Sequence, residues 1–327
     1  MKDKLLKITH SPIRGLLPHE WAVIFYVIMT LAMVVFCSTS YADPSALVWT
    51  RVKLIAAMLA FWGLYRLLPC PLMMLVRVLS QILLLGEWYP DTYTLNSILT
   101  NLDPVVATWE QEIFHCQPSL LFSEQMPWWW FSELMHFGYG SYYFLLLIVP
   151  LMYFARYRAD FLRASFILIT SFFLFYIIFD FLPVAGPQYY FHAIGTDSAM
   201  KGVFPDVGTY FATHRECLPM PGSDGPCHIF VQTMHDAGER PTAAFPSSHV
   251  GIATVLLLLL GRYCKKLKTL EPLVYYIPVY ILLSLSTVYI KAHYAIDAIA
   301  GLFFGVIFYF ALNTIFNAGS YRGIKVE

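Results

Sequence analysis

FPSSHVGIATVLLLLLGR, residues 245–262, decides the fold. Pro246 closes a polar stretch, Ser247 or Ser248 is placed to cap a helix, and His249 stands in the first turn of a run that stays apolar until Arg262. A histidine at the mouth of such a helix belongs to a membrane surface. Working outward, apolar stretches near the roughly 20 residues that cross a hydrocarbon core recur at 20–41, 47–68, 71–88, 128–154, 164–182, 247–262, 272–290 and 294–316. The stretch at 71–88 holds Arg77 and Gln81, so it reads either as a span or as a surface helix. Segment 20–41 is too long for a cleaved leader and reads as a retained helix. The expected fold is all-α: a polytopic transmembrane helix bundle with a six-helix core and two additional amino-terminal helices.

Composition agrees. The 327 residues are 58% hydrophobic and 13% charged, with a mean hydropathy of +0.60, whereas a water-facing domain carries about a quarter charged residues. Lys+Arg and Asp+Glu both total 21, so net charge gives no reason to expect a nucleic-acid partner. Charge placement says more. Lys2, Lys4, Lys7 and Arg14 precede the first span, Arg156, Arg158 and Arg163 follow the fourth, Arg262, Lys265, Lys266 and Lys268 follow the sixth, and Arg322 and Lys325 close the chain. With eight spans these clusters share one side, the cytoplasmic one. The stretch from Glu87 to Pro127 has acids but no Lys or Arg and falls outside, as does the long loop from Pro183 to Pro246. The chain divides into amino-terminal membrane helices with an outside interfacial segment (1–127) and a catalytic transmembrane domain (128–327).

The second motif is KAHYAID, residues 291–297. His293 and Asp297 are four apart at a helix start, so they share a face, and the carboxylate is expected to accept a hydrogen bond from the imidazole. That bond fixes the tautomer and makes the other ring nitrogen a nucleophile toward phosphorus. Asp297 is equally well placed to cap the helix. His249, at a helix amino terminus whose free N–H groups suit phosphate oxygens, is placed to give a proton to the leaving group. Capping accounts for either motif alone, but not for two histidine motifs on one membrane face.

These residues resemble the type 2 phosphatidic acid phosphatase superfamily of membrane phosphatases and lipid phosphotransferases. Pro246, Ser247, Ser248 and His249 match a Pro-Ser-Gly-His motif at three of four positions, Ser248 standing where Gly is expected, and Ser286, His293 and Asp297 match a Ser-Arg…His…Asp motif in which Thr287 replaces Arg. The resemblance covers about residues 165–315 and implies His293 as nucleophile, His249 as general acid then base, and Asp297 as orienter; Gly301 also fits. The phosphatase branch has a Lys separated by six residues from an Arg-Pro pair. Here Arg240-Pro241 is present, but Thr233 stands in the Lys position. The text around Phe181-Leu182-Pro183 and Gly186-Pro187-Gln188-Tyr189-Tyr190 is most similar to the inositol phosphorylceramide synthase-like lipid phosphotransferases, which keep the triad without the full clamp.

Phosphate still needs partners. Arg240 offers a planar fork, Lys291 a point charge and Gln188 neutral hydrogen bonds, beside the cap serines Ser247 and Ser248. Each cation also suits headgroup anchoring. Glu133, His136, Gly140 and Tyr143 fall on one stripe of the fourth span and read as a wall of the headgroup pocket, although His136 also suits a bond to a neighbouring helix. Asp180 is a further pocket candidate, and Trp128, Trp129 and Trp130 form an aromatic belt. Cys217 and Cys227 are placed to close a disulfide loop, and a metal site built from them with His214, His228 and His235 lacks a ligand spacing. The expected function is transfer of a phosphoryl-headgroup, such as phosphoinositol, from a phospholipid to a lipid alcohol such as ceramide through a phospho-histidine, in sphingolipid metabolism, without a cofactor or metal. The partners are a phospholipid donor, a lipid alcohol acceptor or water, and the membrane lipids. The alternatives are a lipid phosphate or polyprenyl pyrophosphate phosphatase and, from another class, a noncatalytic transporter or scaffold.

Overall fold

The computed structural model describes residues 5–9, 12–222 and 224–319. Lys2, Lys4, Arg322 and Lys325 lie outside the described residues. The described chain is helical without strands: α1 (Pro18–Phe36), α2 (Pro44–Leu67), α3 (Pro71–Asn96), α4 (Asp103–Phe114), α5 (Pro118–Gln125), α6 (Trp129–Arg156), α7 (Phe161–Phe181), α8 (Pro187–Ile194), α9 (Thr196–Met200), α10 (Pro226–Gly238), α11 (Ser248–Leu267), α12 (Glu271–Tyr289) and α13 (Ala295–Ala318). Proline opens many of them, where its fixed φ is already helical and its missing N–H costs nothing. Seven helices (α1, α2, α3, α6, α7 with its preceding turn, α12 and α13) are long and apolar enough to cross a membrane. The eighth expected span, α11, has 20 residues and ends on Lys265 and Lys266.

The ambiguous stretch at 71–88 is a long helix that continues to Asn96 through Pro90. It tolerates Arg77 because the guanidinium meets Glu20 of α1 in a fork, Nε to Oε1 at 2.7 Å and Nη2 to Oε2 at 2.5 Å, both side chains being fully buried. Arg51 of α2 is similarly held by Asp91 at 3.0 Å and by Thr30 at 2.9 Å. These two ion pairs tie α1, α2 and α3 together.

Helix α7 is buried on nearly all faces, the mark of a central helix, and packs against α1, α3, α11 and α13. The closest crossing is between α11 and α13. A Cβ on Gly301 would strike the Ser247 carbonyl, and one on Gly305 the Gly251 carbonyl, so backbone meets backbone there through a small-xxx-small pair. At the far end of these helices Asp160 receives Arg163 at 3.3 Å and Arg262 at 2.5 Å, while Arg163 also reaches Asn313 and Asn317. The basic ends of α6, α7 and α11 therefore gather at one end of the bundle, and both histidine motifs at the other. The expected loop 183–246 carries α8, α9 and α10, which sit at the histidine end.

Candidate active site

Two helix starts build the site. Ser247 is the N-cap of α11, its Oγ accepting from Val250 N–H at 3.3 Å, and its own N–H donates to the Asp297 carbonyl at 2.9 Å. That last bond ties the first motif to the second. Ser248 begins the helix, and His249 projects from its first turn against Tyr139 and Tyr142 of α6, with ring centroids 4.7 and 4.4 Å away. His293 sits in the short link between α12 and α13, where Lys291 takes a left-handed φ of 67° and the His293 N–H donates to the Thr287 carbonyl at 3.0 Å. Its Nε2 faces His249 Nδ1 at 3.4 Å. His293 is buried, and burial lowers its pKa from 6.5 to about 4, the Ala244 hydrogen bond acting the other way.

The expected imidazole–Asp297 hydrogen bond is corrected. His293 Nδ1 donates to the Ala244 carbonyl at 2.8 Å, and Asp297 Oδ2 lies 3.6 Å from that nitrogen. Asp297 instead accepts the Tyr294 N–H at 2.8 Å, so it caps α13 and its carboxyl stands behind the ring. A backbone oxygen, invisible to side-chain spacing, fixes the tautomer. Two acids beyond the expected set hold the same link. Asp103 of α4 accepts from Ala185 N–H, Gly186 N–H, the Tyr294 hydroxyl and Asn101 at 2.6, 2.8, 2.9 and 2.7 Å. Glu110 accepts the Ala295 and Ile296 N–H groups at 2.9 and 3.0 Å. Burial raises the pKa of both carboxyls against these bonds. Their spacing of seven, two helical turns on one face, was the available signal. Gly186, at φ 95°, is required there, since a Cβ would meet the Ala292 carbonyl at 2.8 Å.

The proposed headgroup stripe divides. Glu133 caps α10, accepting the Cys227 and His228 N–H groups at 2.9 and 3.0 Å, and His136 Nδ1 donates to the Ser132 carbonyl at 2.7 Å with its ring against His228. Both are therefore placed under α10 and not beside His293. Asp180 is also removed from the site: its surroundings are Tyr26, Arg51 and Asp91 of the amino-terminal layer. Tyr143 and Gln188 do line a cleft, together with Tyr139, His235, Glu239 and Ala292, directly beside the histidine pair. Arg240 rests on the Glu239 carbonyl at 2.6 Å. Lys291 has Glu124 as its acidic neighbour, and burial lowers its pKa. Among the described residues neither cation hydrogen-bonds into the histidine gap, where the open polar groups are the first N–H groups of α11.

Cys217 and Cys227 are separate thiols, as are the other four cysteines. Among the described residues no group of three or more His, Cys, Asp or Glu is arranged to hold a metal. The arrangement offers an imidazole held in one tautomer, a second imidazole within proton-transfer reach and a helix amino terminus, the parts needed to form and break a phosphorus–nitrogen bond.

No curated protein and no solved structure matches the chain. The PAP2 superfamily profile matches residues 104–311, more than half of the chain, beginning at the helix that carries Glu110 and ending near the close of α13. The chain therefore belongs to the PAP2 superfamily, the membrane enzymes that hydrolyse or transfer lipid phosphate groups.

Proposed function

We propose that the protein moves a phosphoryl-headgroup, such as phosphoinositol, from a phospholipid to a lipid alcohol such as ceramide, in the manner of inositol phosphorylceramide synthases, on the non-cytoplasmic face of the membrane. The observation that carries this reading is the buried pair of histidines with His293 Nδ1 committed to Ala244 and Nε2 left facing His249. The Nε2 lone pair attacks phosphorus, the bond to the glycerol oxygen breaks, and His249 gives its proton to that oxygen, releasing diacylglycerol. An acceptor hydroxyl then returns a proton to His249 and attacks phosphorus, and the phosphorus–nitrogen bond breaks to restore both rings. The amino terminus of α11 faces the anionic centre throughout, and Asp297 stabilises charge on His293 from behind.

Transfer is favoured over hydrolysis by the cation placement. Thr233 and Thr287 stand where the phosphatase branch has Lys and Arg, Arg240 is engaged with backbone, and Lys291 neighbours Glu124. The non-cytoplasmic assignment rests on the basic clusters gathered at the opposite end. Incubating purified protein with labelled phosphoinositide, with and without ceramide, tests the reading. Labelled sphingolipid is expected; free phosphate alone makes it a phosphatase, and neither product in an intact protein overturns the assignment. His293→Ala should abolish turnover and labelling of the protein while lipid binding persists.

A further inference from the structure

The carbonyl that fixes the His293 tautomer belongs to a tightly held segment. Thr242, Ala243 and Ala244 are all buried, and Ala243 takes a left-handed φ of 65° without being glycine. A residue with a Cβ stays in that region only where its surroundings pin the chain on both sides. After Ala243, the Ala244 N–H donates to the Val184 carbonyl at 2.9 Å. Before it, the Thr242 N–H donates to the Arg240 carbonyl at 2.7 Å, and Thr242 Oγ1 accepts from Asn96 Nδ2 at 2.6 Å. The same Asn96 nitrogen donates to the Phe179 carbonyl at 2.8 Å, which fixes the orientation of the amide because a carbonyl can only accept. Asn96 is buried and is the last residue of α3. Its amide therefore ties together α3, the end of α7 and the segment that carries the Ala244 carbonyl to His293 Nδ1.

Asn96 shares its helix face with Tyr89 and Tyr93, since spacings of four and three make one stripe. The Tyr89 hydroxyl donates to Glu239 Oε1 at 3.0 Å and the Tyr93 hydroxyl to the Phe211 carbonyl at 2.6 Å. The outer end of α3 is thus a platform under the chain that leads to the first histidine motif. Yet α3 lies before residue 104, where the match to the PAP2 profile begins. We infer that Asn96 is a positioning residue for the phosphotransfer site: through Thr242 it holds the Ala244 carbonyl against His293 Nδ1 and so keeps Nε2 unprotonated toward His249. The amino-terminal layer thereby takes part in setting the nucleophile. This rests on the phosphotransfer reading above, in which Nε2 attacks phosphorus.

The test uses the full chain in detergent micelles and two readouts. One is kcat and KM for diacylglycerol release from phosphatidylinositol or phosphatidic acid in the presence of ceramide. The other is the nitrogen NMR spectrum of protein labelled in its histidine rings at neutral pH, the His293 signals being those missing from His293→Ala. Wild type is expected to hold His293 in one tautomer, protonated on Nδ1. Thr242→Val removes the acceptor at nearly constant shape and spares the bond from Asn96 to Phe179 that joins α3 to α7. It is expected to melt near wild type, to lower kcat about tenfold or more with KM changed by less than about twofold, and to give His293 a mixture of tautomers. Thr242→Ser, which keeps the hydroxyl, is expected to restore both readouts, and Asn96→Ala to act at least as strongly as Thr242→Val. Wild-type kcat with a single His293 tautomer in folded Thr242→Val overturns the inference, because Asn96 then serves only the packing of α3 on α7. A lowered kcat with the tautomer unchanged overturns it too, by placing the effect away from the Ala244 carbonyl. Folded wild type that releases no diacylglycerol from either donor overturns the phosphotransfer reading, and the tautomer of His293 in Thr242→Val still decides the anchor.

Discussion

His293 carries its proton state in its surroundings. Burial holds its pKa at about 4, below the ordinary 6.5, so the ring is neutral and nucleophilic from pH 4 upward. The limb of the pH profile for covalent labelling that reports loss of the nucleophile is therefore expected near pH 4; a midpoint near 6.5 would contradict the buried environment. Stability follows the same sign. The unfolded chain takes up this proton first, so the contribution of His293 is complete above pH 6.5 and falls as pH drops from there toward 4. Arg240 has changed place in this picture. Its bond to the Glu239 carbonyl makes it a brace of the cleft, so Arg240→Lys is expected to retain much of the rate and Arg240→Ala to lose more, measured as kcat and KM on one donor. The two histidines were legible in the sequence because each lies in a short motif beside an apolar helix. The Ala244 carbonyl was not, since every residue has one and only the folded chain brings it 2.8 Å from the ring.

Helix α4 shows what spacing alone conveys. Its acids read in the sequence only as part of a stretch without Lys or Arg, yet Asp103 and Glu110 are the anchors of the 185–186 and 295–296 backbones. Removing a cap of this kind costs about 1–2 kcal/mol. Glu110→Ala is expected to lower the melting temperature and to reduce kcat with little change in KM, since it loosens the start of α13 without touching the cleft; Glu110→Gln, which keeps one acceptor, should recover part of both. An unchanged kcat in a destabilised Glu110→Ala would show that the anchor serves the fold only. The stripe on α6 taught the converse. Glu133, His136 and Tyr143 do share a helical face, but what covers a face is decided by a distant element: α10 sits over Glu133 and His136, and only Tyr143 reaches the cleft.

The whole bundle sorts its charges by end. The Asp160, Arg163 and Arg262 cluster joins α7, α11 and the close of α13 opposite the histidines. Ser248 is too buried to report sidedness, whereas Lys201, exposed beside α9, is a fair probe. In a cysteine-free background, Lys201→Cys is expected to react with an impermeant maleimide in intact cells, and labelling only after permeabilisation would reverse the orientation. Seven of the eight apolar stretches were legible because hydrocarbon thickness fixes their length. The short helices between Pro183 and Pro246 were not, because polar sequence there carries no comparable constraint.

The glycine crossing of α11 and α13 bears on how the enzyme meets different bilayers. At Gly301 and Gly305 the main chain of α13 rests on the carbonyls of Ser247 and Gly251, while Gly251 also makes room for the Phe175 ring. The two helix starts that carry the imidazoles are thereby held together by close backbone packing. Membranes of differing thickness or fluidity can tilt the bundle and alter the supply of substrate, but they leave that packing untouched.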